Sequence, residues 1–175
     1  MKRLLVVLSL VGLIFSASVF AAPRDEAKTI EQKVEKEIRS LPYYGVFDVI
    51  GYEVEGSTVT LTGKLYNAIS YDNIAKRVSK IEGVETVVNK IEVLPASTFD
   101  NRIRRDTVRA LSNTAGLYRY LLGHNPSMRI IVDGGNLSLE GKVSNDGDKR
   151  LAGILANTVP GVFKVTNNLE VVKKY

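Results

Sequence analysis

The residue types that most often perform chemistry are sparse in this chain. It has one histidine, His124, and no cysteine. His124 stands in a Gly-His-Asn-Pro stretch typical of a loop, with no base or metal-ligand partner at a readable spacing. Glu31, Glu35 and Glu37 alternate with basic residues in a helical pattern, where Glu35 and Arg39 are four apart and can pair. The sequence therefore predicts no catalytic residue, no metal site, no cofactor and no small-molecule substrate.

Arginine is the residue type whose distribution is informative. If residues 100–111 form a helix, Arg102, Arg105 and Arg109 lie on one face, because their spacings are three and four. Aromatic and leucine residues follow within residues 117–122, and such side chains enter the headgroup zone of a bilayer beside arginines that attract anionic lipid. The predicted lipid-binding residues are Arg102, Arg105, Arg109, Leu117, Tyr118, Arg119, Tyr120, Leu121 and Leu122. Alternatively, Leu117, Leu121 and Leu122 complete a hydrophobic core.

The charge of the chain is unevenly distributed. The 175 residues carry a formal net charge of +5, are 45% apolar, and have a composition typical of an ordinary globular protein. Residues 24–96 contain 10 basic and 12 acidic side chains, whereas residues 97–175 contain 12 basic and 7 acidic ones. We therefore expect the second half, rather than the whole chain, to be attracted to anionic surfaces.

The N-terminus predicts export. Residues 1–21 have the parts of a secretory signal peptide: Lys2 and Arg3, an apolar run over residues 4–15, and small residues up to a cleavage position after Ala21. The alternative is an uncleaved anchor, since the apolar stretch is close to the roughly 20 residues that span a bilayer. Without cysteine, the chain has no site for a lipid anchor on an N-terminal Cys. We expect a periplasmic protein, and export argues against a nucleic-acid partner.

The remainder of the chain contains an internal repeat. An offset of 78 aligns residues 54–93 with residues 132–171 without a gap, and 12 of the 40 positions are identical. Further upstream the better offset is 73, so the second copy carries about five extra residues around residues 115–126. We therefore predict two copies of one small domain, at residues 25–95 and 99–173.

Each copy has the same pattern of elements. Residues 25–40 have helical periodicity, two alternating segments joined by Gly56 or Gly134 form a hairpin, a second helix covers about residues 70–82, and a final strand follows. The predicted fold class is α+β, with two tandem αββαβ domains in which two helices pack on one face of a three-stranded mixed sheet. Residues 94–98 form a short linker.

Four repeated residues have structural interpretations. Gly63 and Gly141 indicate bends, or points of close approach between strand and helix. Asn89 and Asn167 lie in the apolar phase of the last strand, and we expect them to bond the backbone of a neighbouring loop rather than a ligand.

The order of these motifs resembles the BON domain. The carrying motifs are the hairpin from Gly56 to Gly63, the helix after it, and Gly-Val-x-x-Val-x-Asn, which occurs at residues 83–89 and 161–167. Two copies behind a signal peptide are similar to periplasmic tandem-BON proteins, which include an osmotically induced soluble protein and an outer-membrane lipoprotein. The absence of cysteine makes this chain similar to the soluble branch.

The resemblance implies a non-catalytic module that binds phospholipid or the membrane interface. The expected partner is an anionic phospholipid surface or an envelope protein, and the expected role is in envelope integrity or osmotic stress. The alternative function is a soluble protein-interaction or chaperone-like stress protein that uses exposed sheet edges.

Overall fold

The computed structural model describes residues 29–114 and 116–172, and within them both halves have the predicted αββαβ order. The signal peptide and the first residues of the predicted first helix lie outside the described residues. In the first domain, β1 pairs with β2 antiparallel and β2 pairs with β3 parallel, which makes the sheet mixed as predicted. Its elements are α1 (Ile30–Arg39), β1 (Val49–Glu55), β2 (Thr58–Leu65), α2 (Ala68–Val78) and β3 (Thr86–Val93).

The second domain repeats this topology, with its last strand in two pieces. β4 and β5 pair antiparallel, and both β6 and β7 pair with β5 in parallel. A single 3₁₀ turn, Tyr118–Tyr120, lies between the first helix and the sheet. The elements are α3 (Thr98–Ser112), β4 (Met128–Asp133), β5 (Asn136–Val143), α4 (Asp146–Asn157), β6 (Lys164–Asn167) and β7 (Glu170–Val171).

Side-chain caps set the residues at which α2 and α3 begin. Asn67 accepts from the backbone N–H of Ile69 at 2.9 Å, so α2 begins at Ala68 rather than near residue 70. The helix ends at Val78 rather than near residue 82 as predicted. Ser97 caps α3 in the same way, bonding the N–H of Asp100 at 3.1 Å. Leu94 is buried and its N–H bonds the carbonyl of Leu65 at 2.8 Å, so the linker is shorter than residues 94–98.

The repeated glycines allow close approach of two strands, not of a strand and a helix as predicted. Gly63 has φ +122° and Gly141 has φ +100°. A Cβ on Gly63 would collide with the backbone carbonyl of Val49, and one on Gly141 with that of Ser127. Only glycine adopts this backbone where the neighbouring chain is so near.

The repeated asparagines bond backbone groups, as expected, but not those of a loop. Asn167 donates to the carbonyl of Lys149 in α4 at 2.7 Å. Asn89 accepts from the N–H of Ile91 in its own strand at 3.2 Å. Both side chains therefore support the final strand of their domain.

Each domain has its own core between its helices and its sheet, and one segment of the first domain adds to the core of the second. In the first core, Val34 and Ile38 of α1 and Ile74 of α2 pack over Leu61 of β2. Val46 and Phe47, in the loop before β1, pack against the second core instead. This loop, residues 44–48, is here called the docking segment.

The docking segment runs along the outer edge of β4. The N–H of Ile130 in β4 donates to the carbonyl of Val46 at 2.7 Å, so a backbone group at the strand edge finds its partner in the other domain. The guanidinium of Arg129 lies over the ring of Tyr44, 4.2 Å from its centroid, and donates to the carbonyl of Gly45 at 2.5 Å. Planar stacking combined with hydrogen bonding is a geometry that arginine provides and lysine does not.

Asp48 holds the docking segment in this position. Its carboxylate accepts from the N–H of Gly45 at 2.8 Å and from the N–H of Tyr66 at 2.7 Å. Burial raises the pKa of Asp48 above its usual value, and these two hydrogen bonds together with the charge of Arg129 oppose the shift. A second contact follows at the end of β2, where Lys64 pairs with Asp133 at 2.5 Å.

The contacts between the two domains are here called the seam. We predict that Arg129→Lys weakens this seam. Lysine cannot stack on Tyr44 and bond Gly45 at once, so the free energy of unfolding falls by about 2 kcal/mol. Urea denaturation measures this loss, and hydrogen exchange at Ile130 reports opening of the seam. Arg150→Lys, at an exposed position of α4, is the control. Equal stability of the two variants would contradict the role of Arg129.

Candidate functional site

Helix α3 has a buried face and an opposite basic face. Ile103 and Leu111 are among its buried residues and pack into the second core. The predicted lipid-binding residues Arg102, Arg105 and Arg109 are all exposed, and their spacing places them together on the opposite side. The structure therefore brings these three predicted residues onto one surface, here called the basic face.

Two buried polar residues of α3 fix the direction of the basic face. Asp100 accepts from the N–H groups of Gly134 and Gly135 in the β4–β5 turn, at 3.1 and 2.9 Å. Arg104 donates to the carbonyl of Val132 and to Asn101. Both residues join α3 to β4 and its turn, so the basic face cannot rotate toward the sheet without breaking buried hydrogen bonds.

Arg104 differs from its neighbours in the arginine cluster because it is fully buried. Its guanidinium lies 4.9 Å from the ring centroid of Tyr66 in the first domain. Burial lowers the pKa of Arg104, although arginine stays protonated. Arg104 is thus part of the seam between the domains.

The basic face has little neutralising charge of its own. Arg109 pairs with Asp106 at 3.0 Å. Arg102 and Arg105 have no ion-pair partner within 4.0 Å among the residues that the structure describes. The positive charges of Arg102 and Arg105 are therefore available to an anionic ligand. The charge of Arg109 is available as well, because an exposed ion pair such as Arg109–Asp106 is weak.

An exposed aromatic pair lies at the N-terminal end of α3, and sequence reasoning missed it. The rings of Phe99 and Phe163 are 5.8 Å apart, and their residues are 44% and 76% exposed. Gly135 leaves room for this pair, because a Cβ there would come within 2.6 Å of the Phe163 ring. A difference between the copies could have indicated this pair, because Phe163 aligns with Glu85 at the offset of 78.

The second part of the predicted site, residues 117–122, divides between core and surface. Leu117 and Tyr120 are buried, and Leu121 is half-buried against the second core. For Leu117 and Leu121, the alternative interpretation as core residues agrees with the structure. Tyr118 and Leu122 are exposed, so Leu122 does not complete the core.

Tyr120 and Arg119 both contact Asp148 of α4, although Arg119 itself is exposed. The Tyr120 hydroxyl donates to Asp148 at 2.5 Å and accepts from the N–H of Ser144 at 3.0 Å. Arg119 pairs with the same Asp148 at 2.7 Å and lies over the Tyr120 ring. The extra segment of the second copy is thereby attached to the start of α4.

Other kinds of site find no support in the described part of the chain. His124 is exposed, and no group of three or more His, Asp or Glu residues there could hold a metal ion. The predicted pair of Glu35 and Arg39 forms, at 3.1 Å. Of the helices within residues 29–114 and 116–172, none is long and apolar enough to cross a bilayer.

Comparisons with known proteins agree with the duplicated architecture. The family model of the BON domain matches twice, at residues 26–95 and 100–173. No curated protein matches the sequence.

Two solved structures of CdsD align with most of the chain at low similarity. The C-terminal domain of CdsD, a structural protein of the type III secretion system of Chlamydia trachomatis, is 10% identical with a TM-score of 0.33, over 80% of this chain and 96% of that one. A second CdsD structure is 11% identical with a TM-score of 0.28, over 83% and 93% of the two chains. Similarity this low says nothing about function.

We predict that Tyr120→Phe destabilises the second domain without changing its surface. The N–H of Ser144 loses its partner, and the free energy of unfolding falls by about 1–2 kcal/mol. Denaturation followed by circular dichroism measures the loss. Tyr118→Phe, at an exposed position of the same 3₁₀ turn, is the control and leaves stability unchanged. The same loss in both variants would contradict the role given to the Tyr120 hydroxyl.

Proposed function

The chain belongs to the BON-domain family, and from this premise we propose that it attaches to the surface of an anionic phospholipid membrane through its second domain. BON domains are known as phospholipid- or membrane-binding modules without a catalytic apparatus. The finer assignment, to anionic lipid and to one surface of this chain, rests on the basic face of α3. That face is the single observation that carries the proposal.

Electrostatic attraction draws the basic face to the bilayer. A lysine or arginine near an anionic surface contributes about 1 kcal/mol, and the contribution decays within a Debye length. Arg102, Arg105 and Arg109 stand together on a helix that Asp100 fixes against the domain. Because they share one helical face, all three charges can approach the plane of the bilayer surface at the same time. Charges scattered over the protein could not.

The aromatic pair supplies the apolar part of the attachment. Phe99 lies in the first turn of the same helix, and Phe163 contacts its ring and is largely exposed. Exposed aromatic rings beside arginines are suited to the headgroup zone, where apolar side chains leave water while cations stay near phosphate. Phe99 and Phe163 therefore extend the predicted site, and the buried Leu117 and Tyr120 have no part in it.

The cellular setting remains part of the proposal. The predicted signal peptide, with cleavage after Ala21, would direct the protein to the periplasm. The membranes that enclose this compartment present anionic phospholipid surfaces. A role in envelope integrity or osmotic stress follows from that location.

A free sheet edge supports the second candidate, a protein-interaction or chaperone-like function. β3 is the last strand in the sheet order of the first domain, and it is eight residues long. An exposed edge of this length can pair with an extended segment of a partner. Suppressed aggregation of an unfolded test protein, without vesicle binding, would favour this function over attachment to lipid.

We predict that reversing the basic face abolishes binding to anionic vesicles. The triple change Arg102→Glu, Arg105→Glu and Arg109→Glu lowers the partition coefficient on vesicles of phosphatidylglycerol and phosphatidylcholine by at least about a hundredfold. Cosedimentation measures the coefficient, and binding of the unmodified protein weakens as salt is raised.

The control changes net charge equally at another place. Lys76→Glu, Lys80→Glu and Lys90→Glu reverse three exposed charges of the first domain. This control keeps most of the affinity. An equal loss in both triple variants would contradict the assignment to α3, and an absence of vesicle binding by the unmodified protein would contradict the function.

A further inference from the structure

The exposed residues of two segments of the first domain form an uncharged, partly apolar surface. Residues 41–47 and residues 65–71 contain no charged side chain, although 25% of the chain is charged. They are joined where Ser70 donates its hydroxyl to the carbonyl of Pro42 at 3.2 Å. The exposed apolar side chains of this surface, here called the first-domain patch, are Tyr43, Tyr66 and Ile69.

Tyr43 is held in a conformation that its side chain disfavours. Its φ is +65°, and it is the one residue other than glycine with positive φ among those that the structure describes. Left-handed backbone costs a bulky residue about 1 kcal/mol or more, and such strain is found at functional sites. The side chain recovers little of that cost inside the protein, because Tyr43 is 68% exposed. Ile69, in the first turn of α2, is 58% exposed.

Tyr66 connects the first-domain patch to α3. Its ring lies under the guanidinium of Arg104 and contacts Phe47 edge-on, with 5.8 Å between the centroids. On α3, Arg105 follows Arg104 directly and turns toward the basic face. The patch therefore contacts the flank of α3 on which Arg104 lies, about 100° around the helix from Arg105.

Phe99 lies on the other flank of α3. Helical geometry places Phe99 and Arg104 about 140° apart around the axis of α3, on either side of the buried face centred on Asp100 and Thr107. Apolar side chains from both domains thus lie on the two flanks of α3, whose exposed side carries the three arginines.

We propose that the bilayer-binding surface is composite, with Tyr43, Tyr66 and Ile69 of the first domain inserting beside the basic face of the second. This inference rests on the proposed function. A membrane is the occupant that the chemistry favours, because exposed tyrosine and isoleucine side chains match the headgroup zone, and the exposed arginines of α3 match its phosphates. The seam at Arg129 and the docking segment keeps both parts in one orientation.

The absence of tryptophan from the chain permits a direct test. A single tryptophan is introduced in the full-length protein at Tyr43, at Phe163, or at Val88, as Tyr43→Trp, Phe163→Trp and Val88→Trp. Val88 is exposed on β3 and serves as the control. Vesicles of equal phosphatidylglycerol and phosphatidylcholine are added, and a spin-labelled lipid is used as quencher. We expect a blue shift and quenching at positions 43 and 163, and neither at position 88.

The three positions separate failure of this inference from failure of the proposed function. A response at position 163 without one at position 43 overturns the composite surface and leaves attachment through the second domain intact. A patch that docks on another protein gives this same result. No response at any position overturns both proposals.

A second experiment uses the strain at Tyr43. Asparagine accepts left-handed backbone, so Tyr43→Asn keeps or raises stability while it removes the ring. Combined with Ile69→Gln, it lowers the partition coefficient by about tenfold, whereas Val88→Gln changes it less than about twofold. Undiminished binding by the folded double variant would overturn the composite surface.

Discussion

The structure depends most on the way in which the docking segment lies along β4. The edge of β4 would otherwise present unpaired backbone groups, and the bond from Ile130 to Val46 satisfies one of them with a carbonyl from the other domain. Arg129 adds a stacked and hydrogen-bonded contact at the same place. Domains of about 70 residues bury limited surface alone, so the apolar contacts of Val46 and Phe47 with the second core extend what each could bury. The position of α3 relative to the first domain, and hence any surface that the two domains share, follows from this contact.

The seam is also asymmetric, although the domains are copies. Arg129 aligns with Gly51 at the offset of 78, and Tyr44 aligns with Leu117 at the upstream offset of 73. The first domain therefore lacks an arginine at the position equivalent to Arg129. The second domain lacks a tyrosine at the position equivalent to Tyr44. Repeats whose contacts are equivalent can add further copies indefinitely, whereas this contact forms once. The same fold thus occurs twice in the chain, but the residues that join the two domains differ between the copies.

The arginines of the second domain illustrate how one residue type takes separate roles. Arg104 and Arg129 are buried, and their planar guanidinium groups stack on Tyr66 and Tyr44 of the first domain. Arg102 and Arg105 remain exposed on α3. The surplus positive charge of the second half is thus divided, with part of it used to join the domains. The charge that remains for an anionic surface is smaller than the sequence total suggests, but it is more closely grouped.

The sequence by itself determined the αββαβ order, the duplication and the BON family, because hydrophobic periodicity, turn glycines and repeated motifs are local signals that survive without a partner. It also placed Arg102, Arg105 and Arg109 on one helical face, which follows from helix geometry alone. Only the tertiary structure decided that Leu117 and Tyr120 are buried and that Arg104 belongs to the seam. It alone paired Phe99 with Phe163, whose positions lie far apart in the chain. The physical reason is that burial and contact between distant segments depend on how elements pack, and periodicity within one element carries no information about what covers it.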